Sequence, residues 1–358
     1  MPVPMARDPE ETRCRLRDWL AAKQPDTSQV DVLSLDMPRT NGFSSETLMF
    51  EAAWTRKGRR EQHRLVARVA PTGYSIFPEY DLDCQRRVIE ALGTHTEVPV
   101  PEVYWHAERD ESPFGQPFFV MEQVDGRTPP DEPPYAKRGW LVEATPAEQS
   151  RLWRSGLTEL ARIHNADWRA LGLGFLDRSQ DGRPGMATEL AYYRTFQSWV
   201  AEGRDFPLLD KAMAWLEANV PADADDDIRL TWGDARFGNM LFRDFQPVAV
   251  LDWEMVTVGT PEADLSWWLA FHRSWTEFRQ LPDLPGFLDR DGTIAFYEEL
   301  TGRPVRSFHY YEVWSAYRLA VIMRRFEDML VGRGVLPPDA DFQPHRPAWE
   351  MLEKLLTE

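Results

Sequence analysis

Three oxygen-bearing side chains, Asp234, Asn239 and Asp252, fall in one stretch, LTWGDARFGNMLFRDFQPVAVLDWE, at residues 230–254. Asp234 follows an apolar strand start (Leu230, Thr231, Trp232), Asn239 closes the next loop, and Asp252 ends the β-rich run 247–251. The order Asp, Asn, Asp is the set that phosphoryl transfer from ATP requires. The first carboxylate takes or orients the proton of the acceptor hydroxyl, while the amide and the second carboxylate hold Mg²⁺ against the triphosphate. Hard oxygen ligands suit that ion. Arg236, two residues beyond Asp234, could meet the charge developing on the γ-phosphoryl group. Gly233 and Gly238 allow a tight backbone path. Met240, Leu241 and Phe242 lead to a turn at 243–246, and the chain returns as a hairpin that brings Asp252 back beside Asn239. Taken singly, each residue fits an ordinary hairpin with an Asp cap, because Asp and Asn are common in loops. The joint pattern WGDxRxGN followed by LDWE fits it poorly.

The elements that must position these residues are legible on both sides. Residues 11–23 form an amphipathic helix with Leu16, Trp19 and Leu20 on one face, and strands are expected near 30–35, 48–54 and 65–69. Between the first two strands lies RTNGFSSE, whose Asn41-Gly42 pair is the strongest short hairpin signal. A helix follows at 81–92, and PFFVMEQV at 117–124 reads as a buried strand leading into a connector. Residues 126–135, with prolines at 129, 130, 133 and 134, read as a linker that divides the chain into domains 1–125 and 126–358. Beyond it the pattern turns helical. Thr145-Pro146-Ala147-Glu148 is a capping-box start, followed by Trp153, Leu157, Leu160, Ala161 and His164 on one face. His164 on that stripe reads as a satisfied core histidine. Further helices fit 191–202, 208–220, 263–278 and 310–329, and Trp267, Trp268, Phe271 and Trp275 have the spacing of a buried helix face. The acidic run 222–227 reads as a solvated loop.

The segment 230–254 resembles the catalytic and metal loops of the aminoglycoside phosphotransferase family, a branch of the protein-kinase-like fold whose loop usually reads HGDxxxxN. Within it the chain is similar to mycobacterial members and to the kinase-like domain attached to long acyl-CoA dehydrogenases. The run GTPEADLSW at 259–267 matches the family's G-x-P-x-x-D-L segment, whose Asp, here Asp264, braces the loop. Trp232 stands where the family usually has His. The resemblance covers most of residues 30–330 and implies an α+β, two-lobe protein-kinase-like fold, with a small N-terminal antiparallel sheet lobe, a larger mostly helical lobe and the nucleotide between them. It implies Asp234 as base, Asn239 and Asp252 as Mg²⁺ ligands, and Arg236 on the phosphate. Gly42 with the Ser44 and Ser45 region would cover the nucleotide, and Arg68 would take the place of the strand lysine that contacts the α- and β-phosphates. Glu122 and Val124 would offer main-chain contacts to adenine. Alignment on Val88, Ile89 and Leu92 puts Gln85 where a carboxylate usually holds that strand cation. The implied activity is ATP- and Mg²⁺-dependent transfer to a small-molecule hydroxyl. The departures at Gln85 and Trp232 leave a nucleotide-binding pseudokinase with a regulatory role as the alternative.

At 358 residues with 43% hydrophobic content, the chain is long enough for two domains of ordinary size. A net charge of −17 argues against a nucleic-acid partner, which wants a basic face. The acidity is spread nearly evenly along the chain, so it says little for a polycationic acceptor. A classical aminoglycoside is therefore the less expected acceptor, and the resemblance to the kinase-like domain of long acyl-CoA dehydrogenases implies a hydroxyacyl-CoA or another alcohol as the other candidates. Two cysteines imply neither a disulfide framework nor a zinc site. The N-terminus has no apolar signal core and no run approaches a membrane span, so a cytoplasmic protein is expected.

Overall fold

Period-two burial builds the N-terminal sheet. The computed structural model describes residues 8–36, 46–71, 73–337 and 346–358; Gly42, Ser44 and Ser45 lie outside them. The chain divides into two compact units, Met1–Glu90 with Pro101–Val124 and Ala91–Val100 with Asp125–Glu358. In the first, α1 (Pro9–Lys23) precedes β1 (Thr27–Asp36), β2 (Glu46–Arg56) and β3 (Arg59–Val69). Then come α2 (Leu82–His95), β4 (Val103–Ala107) and β5 (Phe118–Glu122). The strands form one antiparallel sheet in the order β1-β2-β3-β5-β4. Along β3, Leu65, Ala67 and Val69 join a buried cluster with Leu16, Trp19 and Leu20 of α1. Alternation therefore puts Val66 and Arg68 on the other face. The β2–β3 connection is two residues, Lys57 and Gly58, both at positive φ (50° and 77°), the geometry that matches strand twist.

The second unit is mostly helical. Its helices are α3 (Pro146–Asn165), α4 (Met186–Ala201), α5 (Pro207–Ala218), α6 (Pro261–Trp275), α7 (Arg290–Thr301), α8 (Phe308–Gly332) and α9 (Arg346–Leu355). Two small antiparallel pairs lie among them: β6 (Arg229–Thr231) with β9 (Thr257–Gly259), and β7 (Met240–Arg243) with β8 (Gln246–Val250). The capping box at α3 forms as its sequence demands, Glu148 N–H donating to Thr145 Oγ1 and Thr145 N–H to the Glu148 carboxylate. Helix α8 is buried on most of its circumference, including Val313, Trp314, Ala316, Tyr317, Ala320 and Val321, which marks it as the central helix of this unit. The fold is α+β and protein-kinase-like. Among the described residues no helix is long and apolar enough to cross a membrane.

Four of the described helices and strands go beyond the sequence expectation: β4, β9, α7 and α9. Helix α7 carries a good signature at both ends, Asp289 accepting from Gly292 N–H at the start and Gly302 in the left-handed conformation at the stop. Its interior buries only Thr293 and Tyr297, so the apolar stripe is thin. Helix α6 stops at Trp275 short of residue 278, because Thr276 turns away and a 3₁₀ turn, Glu277–Arg279, follows.

Gly156 of α3 faces the indole of Trp268: a Cβ built there would lie 2.6 Å from Trp268 Cη2. That ring is fully buried, packed with Trp153 at 5.4 Å and Phe237 at 5.5 Å between centroids. Gly156→Ala gains about 1 kcal/mol of helix propensity but overpacks the core, which costs about 1–3 kcal/mol. The expected outcome in urea unfolding is a net loss of about 1 kcal/mol at unchanged m-value. A more stable variant would show that the indole has room to move.

Candidate active site

Strand β6 runs antiparallel to β9, Leu230 opposite Val258, and delivers the chain to Trp232 and Gly233. Gly233 has φ of +87°, and a Cβ there would sit 2.0 Å from the Met255 carbonyl oxygen, so only glycine fits. The N–H groups of Trp232 and Gly233 donate to the two carboxylate oxygens of Asp264, at 2.6 and 3.0 Å. Asp264 lies in the first turn of α6 at 1% exposure. Its third partner is His164 Nε2, at 3.1 Å. A carboxylate can only accept, so Nε2 carries the proton. At the other side of the ring Nδ1 meets the Tyr297 hydroxyl at 2.5 Å. Burial pushes that phenol upward in pKa, so it keeps its proton and donates. His164 is thus a satisfied core histidine, and it belongs to the brace of the 232–239 loop.

Asp234, 9% exposed, is held at both oxygens. Oδ1 accepts from Trp267 Nε1 at 2.8 Å, and Oδ2 accepts from Asn239 Nδ2 at 2.6 Å with Arg236 Nε at 3.4 Å. With its amide nitrogen committed to Asp234, Asn239 has Oδ1 as its ligand-capable atom. The chain then enters the β7–β8 hairpin, whose turn puts Asp244 and Phe245 at positive φ (51° and 61°). Met240 pairs with Val250, and Leu251 N–H donates to Asn239 O at 2.9 Å. Asp252 therefore follows directly on a residue hydrogen-bonded to Asn239. It is half-buried with φ of +59°, a conformation costly for most side chains but tolerated by Asp. Trp232 donates through Nε1 to Leu251 O at 2.9 Å. The indole ties the two loops together.

Arg236 points its Nη1 at Asp131 Oδ2, 2.7 Å away, and its guanidinium lies 4.9 Å from the centroid of Phe271. Burial works against its charge, but the carboxylates of Asp234, Asp131 and Asp252 outweigh it and hold the pKa above the ordinary arginine value. Behind the loop, buried Arg318 of α8 donates to Gly233 O at 3.2 Å and to the Tyr193 hydroxyl at 3.0 Å, and lies 4.6 Å from the Trp267 ring. Trp267 and Trp268 are core, 1% and 0% exposed. Helical periodicity shows which residues are buried but not where an indole N–H points, so the Trp267–Asp234 bond was invisible in the sequence. Residues 126–135 are also more than a linker: Thr128 Oγ1 donates to Gly238 O at 2.5 Å, and the Tyr135 ring packs on Phe237 at 4.8 Å.

The other residues singled out in the sequence lie in the sheet unit. Arg68 on β3 is half-buried, opposite Thr47 of β2 and Phe119 of β5. Glu122 ends β5, exposed, with its N–H donating to Glu102 O at 2.8 Å. Val124 closes that unit. Gln85 of α2 is 3% exposed.

A family model described as "Phosphotransferase enzyme family" matches residues 43–303. The chain is 34% identical over 209 residues to acyl-CoA dehydrogenase family member 11 of Gallus gallus, covering 58% of this chain and 25% of that protein. It is 28% identical over 284 residues to family member 10 of Mus musculus, covering 74% and 24%. The chain thus spans about a quarter of the length of each of these relatives. Among solved structures, a "putative aminoglycoside phosphotransferase" of Ralstonia eutropha superposes with a TM-score of 0.70 at 24% identity, over 95% of this chain and 97% of that one. That likeness shows the fold.

Asp264→Asn replaces one acceptor oxygen with an amide that faces a backbone N–H. The unsatisfied donor and the lost charge-assisted bonds together cost about 2–4 kcal/mol. Urea unfolding should show that loss, and hydrogen exchange should show faster exchange at the Trp232 and Gly233 amides. Wild-type stability in this variant would mean that something else holds the loop.

Proposed function

Because the chain belongs to the phosphotransferase enzyme family, we propose that it transfers the γ-phosphoryl group of ATP, with Mg²⁺, to a hydroxyl of a small molecule. The observation that supports this reading is a side-chain bond joined to a backbone bond: Asn239 bonds Asp234 at 2.6 Å, and Leu251 N–H donates to Asn239 O, so the chain reaches Asp252 one residue beyond a residue hydrogen-bonded to Asn239. In this reading Asp234 takes or orients the acceptor proton, its carboxylate fixed by Trp267 and Asn239. Arg236, half-buried and held charged by its carboxylate neighbours, would face the transferring phosphoryl group. The resemblance would give Arg68 to the α- and β-phosphates and the backbone of Glu122 and Val124 to adenine. The Glu122 N–H is already committed to Glu102, so its carbonyl is the group it would offer.

The donor set fits Mg²⁺: an amide oxygen and a carboxylate, both hard, with Asn239 turned so that its nitrogen is on Asp234. Among the described residues no group of three or more His, Cys, Asp or Glu could hold a metal alone. Asn239 and Asp252 would hold the ion, with phosphate and water as the remaining ligands. When bound, it neutralises charge on the β- and γ-phosphate oxygens.

For the acceptor, the reading favours a hydroxyacyl thioester or another alcohol over a polycation. Its support is the evenly spread acidity and the likeness to chains named acyl-CoA dehydrogenase family members. Trp267 and Trp268 are too buried to line an acceptor pocket, whereas Phe271 and Trp275 are half-buried.

The roles differ, so the variants should differ. Asp252→Asn should weaken Mg·ATP binding, whereas Asp234→Asn should keep nucleotide affinity and lower turnover about 10²- to 10⁴-fold. Titration calorimetry with a non-hydrolysable ATP analogue measures the first and a coupled assay the second. Equal affinity in wild type and Asp252→Asn would sink the metal assignment. Slow Mg²⁺-dependent ATP hydrolysis lost in Asp234→Ala marks an enzyme; its absence in the wild type favours the pseudokinase.

A further inference from the structure

Arg236 lies between two carboxylates but is not shared equally. Its terminal Nη1 is 2.7 Å from Asp131, while only its Nε approaches Asp234, at 3.4 Å. A Cβ at Gly238 would lie 2.5 Å from Nη1, so the guanidinium crosses directly over that glycine, and the space there is needed for the arginine. Asp131 sits in the proline-bracketed stretch PPDEPPY at 129–135. Prolines lower the entropy lost on fixing such a stretch. The stretch is also anchored. Thr128 Oγ1 donates to Gly238 O, and the fully buried Tyr135 hydroxyl is 2.7 Å from His272 Nδ1. His272 in turn meets Asp283 at 3.2 Å through Nε2, and the Tyr135 ring packs on Phe237. Asp131 is therefore presented to Arg236 by a fixed backbone.

We propose that Asp131 is a positioning residue: it draws the Arg236 guanidinium away from Asp234, so that Arg236 is aimed at the substrate phosphate and is kept from closing a bidentate pair with the candidate base. The proposal rests on the phosphotransfer reading for its kinetic consequence but not for its geometry. Asp234 keeps Trp267 and Asn239 as close donors, and Arg236 remains a long third contact at 3.4 Å. Without the Asp131 charge, the carboxylates of Asp234 and Asp252 remain; Asp234 is the one the guanidinium already approaches, at 3.4 Å, and paired Arg–carboxylate geometry favours two parallel bonds.

Two measurements test it. A crystal structure of Asp131→Asn should show Arg236 shifted onto Asp234 with two contacts near 3 Å or shorter. Asp131 is half-exposed and the substitution is isosteric, so the variant should fold. An unmoved guanidinium overturns the proposal whether or not the protein turns over ATP. In Mg·ATP turnover, Asp131→Asn should lower kcat about 10-fold or more with KM for ATP within about 2-fold, and Asp131→Glu should restore most of it. On an Arg236→Gln background the same Asp131→Asn change should have no further effect, within about 2-fold. An equal fall in kcat on both backgrounds overturns the proposal by showing that Asp131 acts without Arg236. Wild-type protein without turnover would refute the phosphotransfer reading, leaving the crystal structure to decide the positioning.

Discussion

Burying the Asp264 carboxylate at 1% exposure strips its water, which costs several kcal/mol unless donors replace it. Three do: the N–H groups of Trp232 and Gly233 and the Nε2 of His164. Everything in the 232–239 loop depends on that exchange, because the two backbone donors immediately precede Asp234. The chain of bonds continues to Tyr297, so α3, α6, α7 and the end of β6 all converge on one carboxylate. A residue that fixes four elements at once leaves the loop little freedom. Positioned chemistry needs such restraint.

Around this hub the second unit uses indoles as both filler and donor. Trp267 fixes Asp234, and Trp232 links its own loop to Leu251, one residue before Asp252. An indole buries a large apolar area yet offers a single N–H, so it can line a dry pocket and still orient an oxygen. At Trp232 the ring nitrogen supplies a bond that spans the two loops. Arg318, beneath the loop, takes the Gly233 carbonyl and lies against Trp267. The result is a carboxylate whose two oxygens are oriented before any ligand arrives.

The strand, loop and hairpin that carry Asp234, Asn239 and Asp252 were legible in the sequence, because Gly233 and the apolar runs on either side of the 243–246 turn mark them. Strands β2 and β3 of the sheet were legible too, since Leu48, Phe50, Ala52 and Trp54 of β2 and Leu65, Ala67 and Val69 of β3 fall at every second position in the buried cluster. Helix α7 was not, because it buries only two side chains, although Asp289 and Gly302 marked its ends. Strand β4 is short, and its five residues are mostly half-buried, so its pairing with β5 comes from the sheet. Residues 126–135 looked like a linker because proline density signals breakage and cannot reveal that Asp131 and Tyr135 dock on the loop. The Trp267 contact depends on a rotamer, which no one-dimensional pattern encodes.

Transfer of the γ-phosphate itself is the most direct test. The protein would be incubated with Mg²⁺ and ATP radiolabelled at the γ-phosphate, against hydroxyacyl-CoAs, amino alcohols, sugars and aminoglycosides in turn. Label should move to a hydroxyl of one class as an acid-stable phosphate monoester in the wild type, and not in Asp234→Ala. Nucleotide binding with no label transferred to any class would contradict the account and leave a chain that holds the nucleotide to regulate a partner.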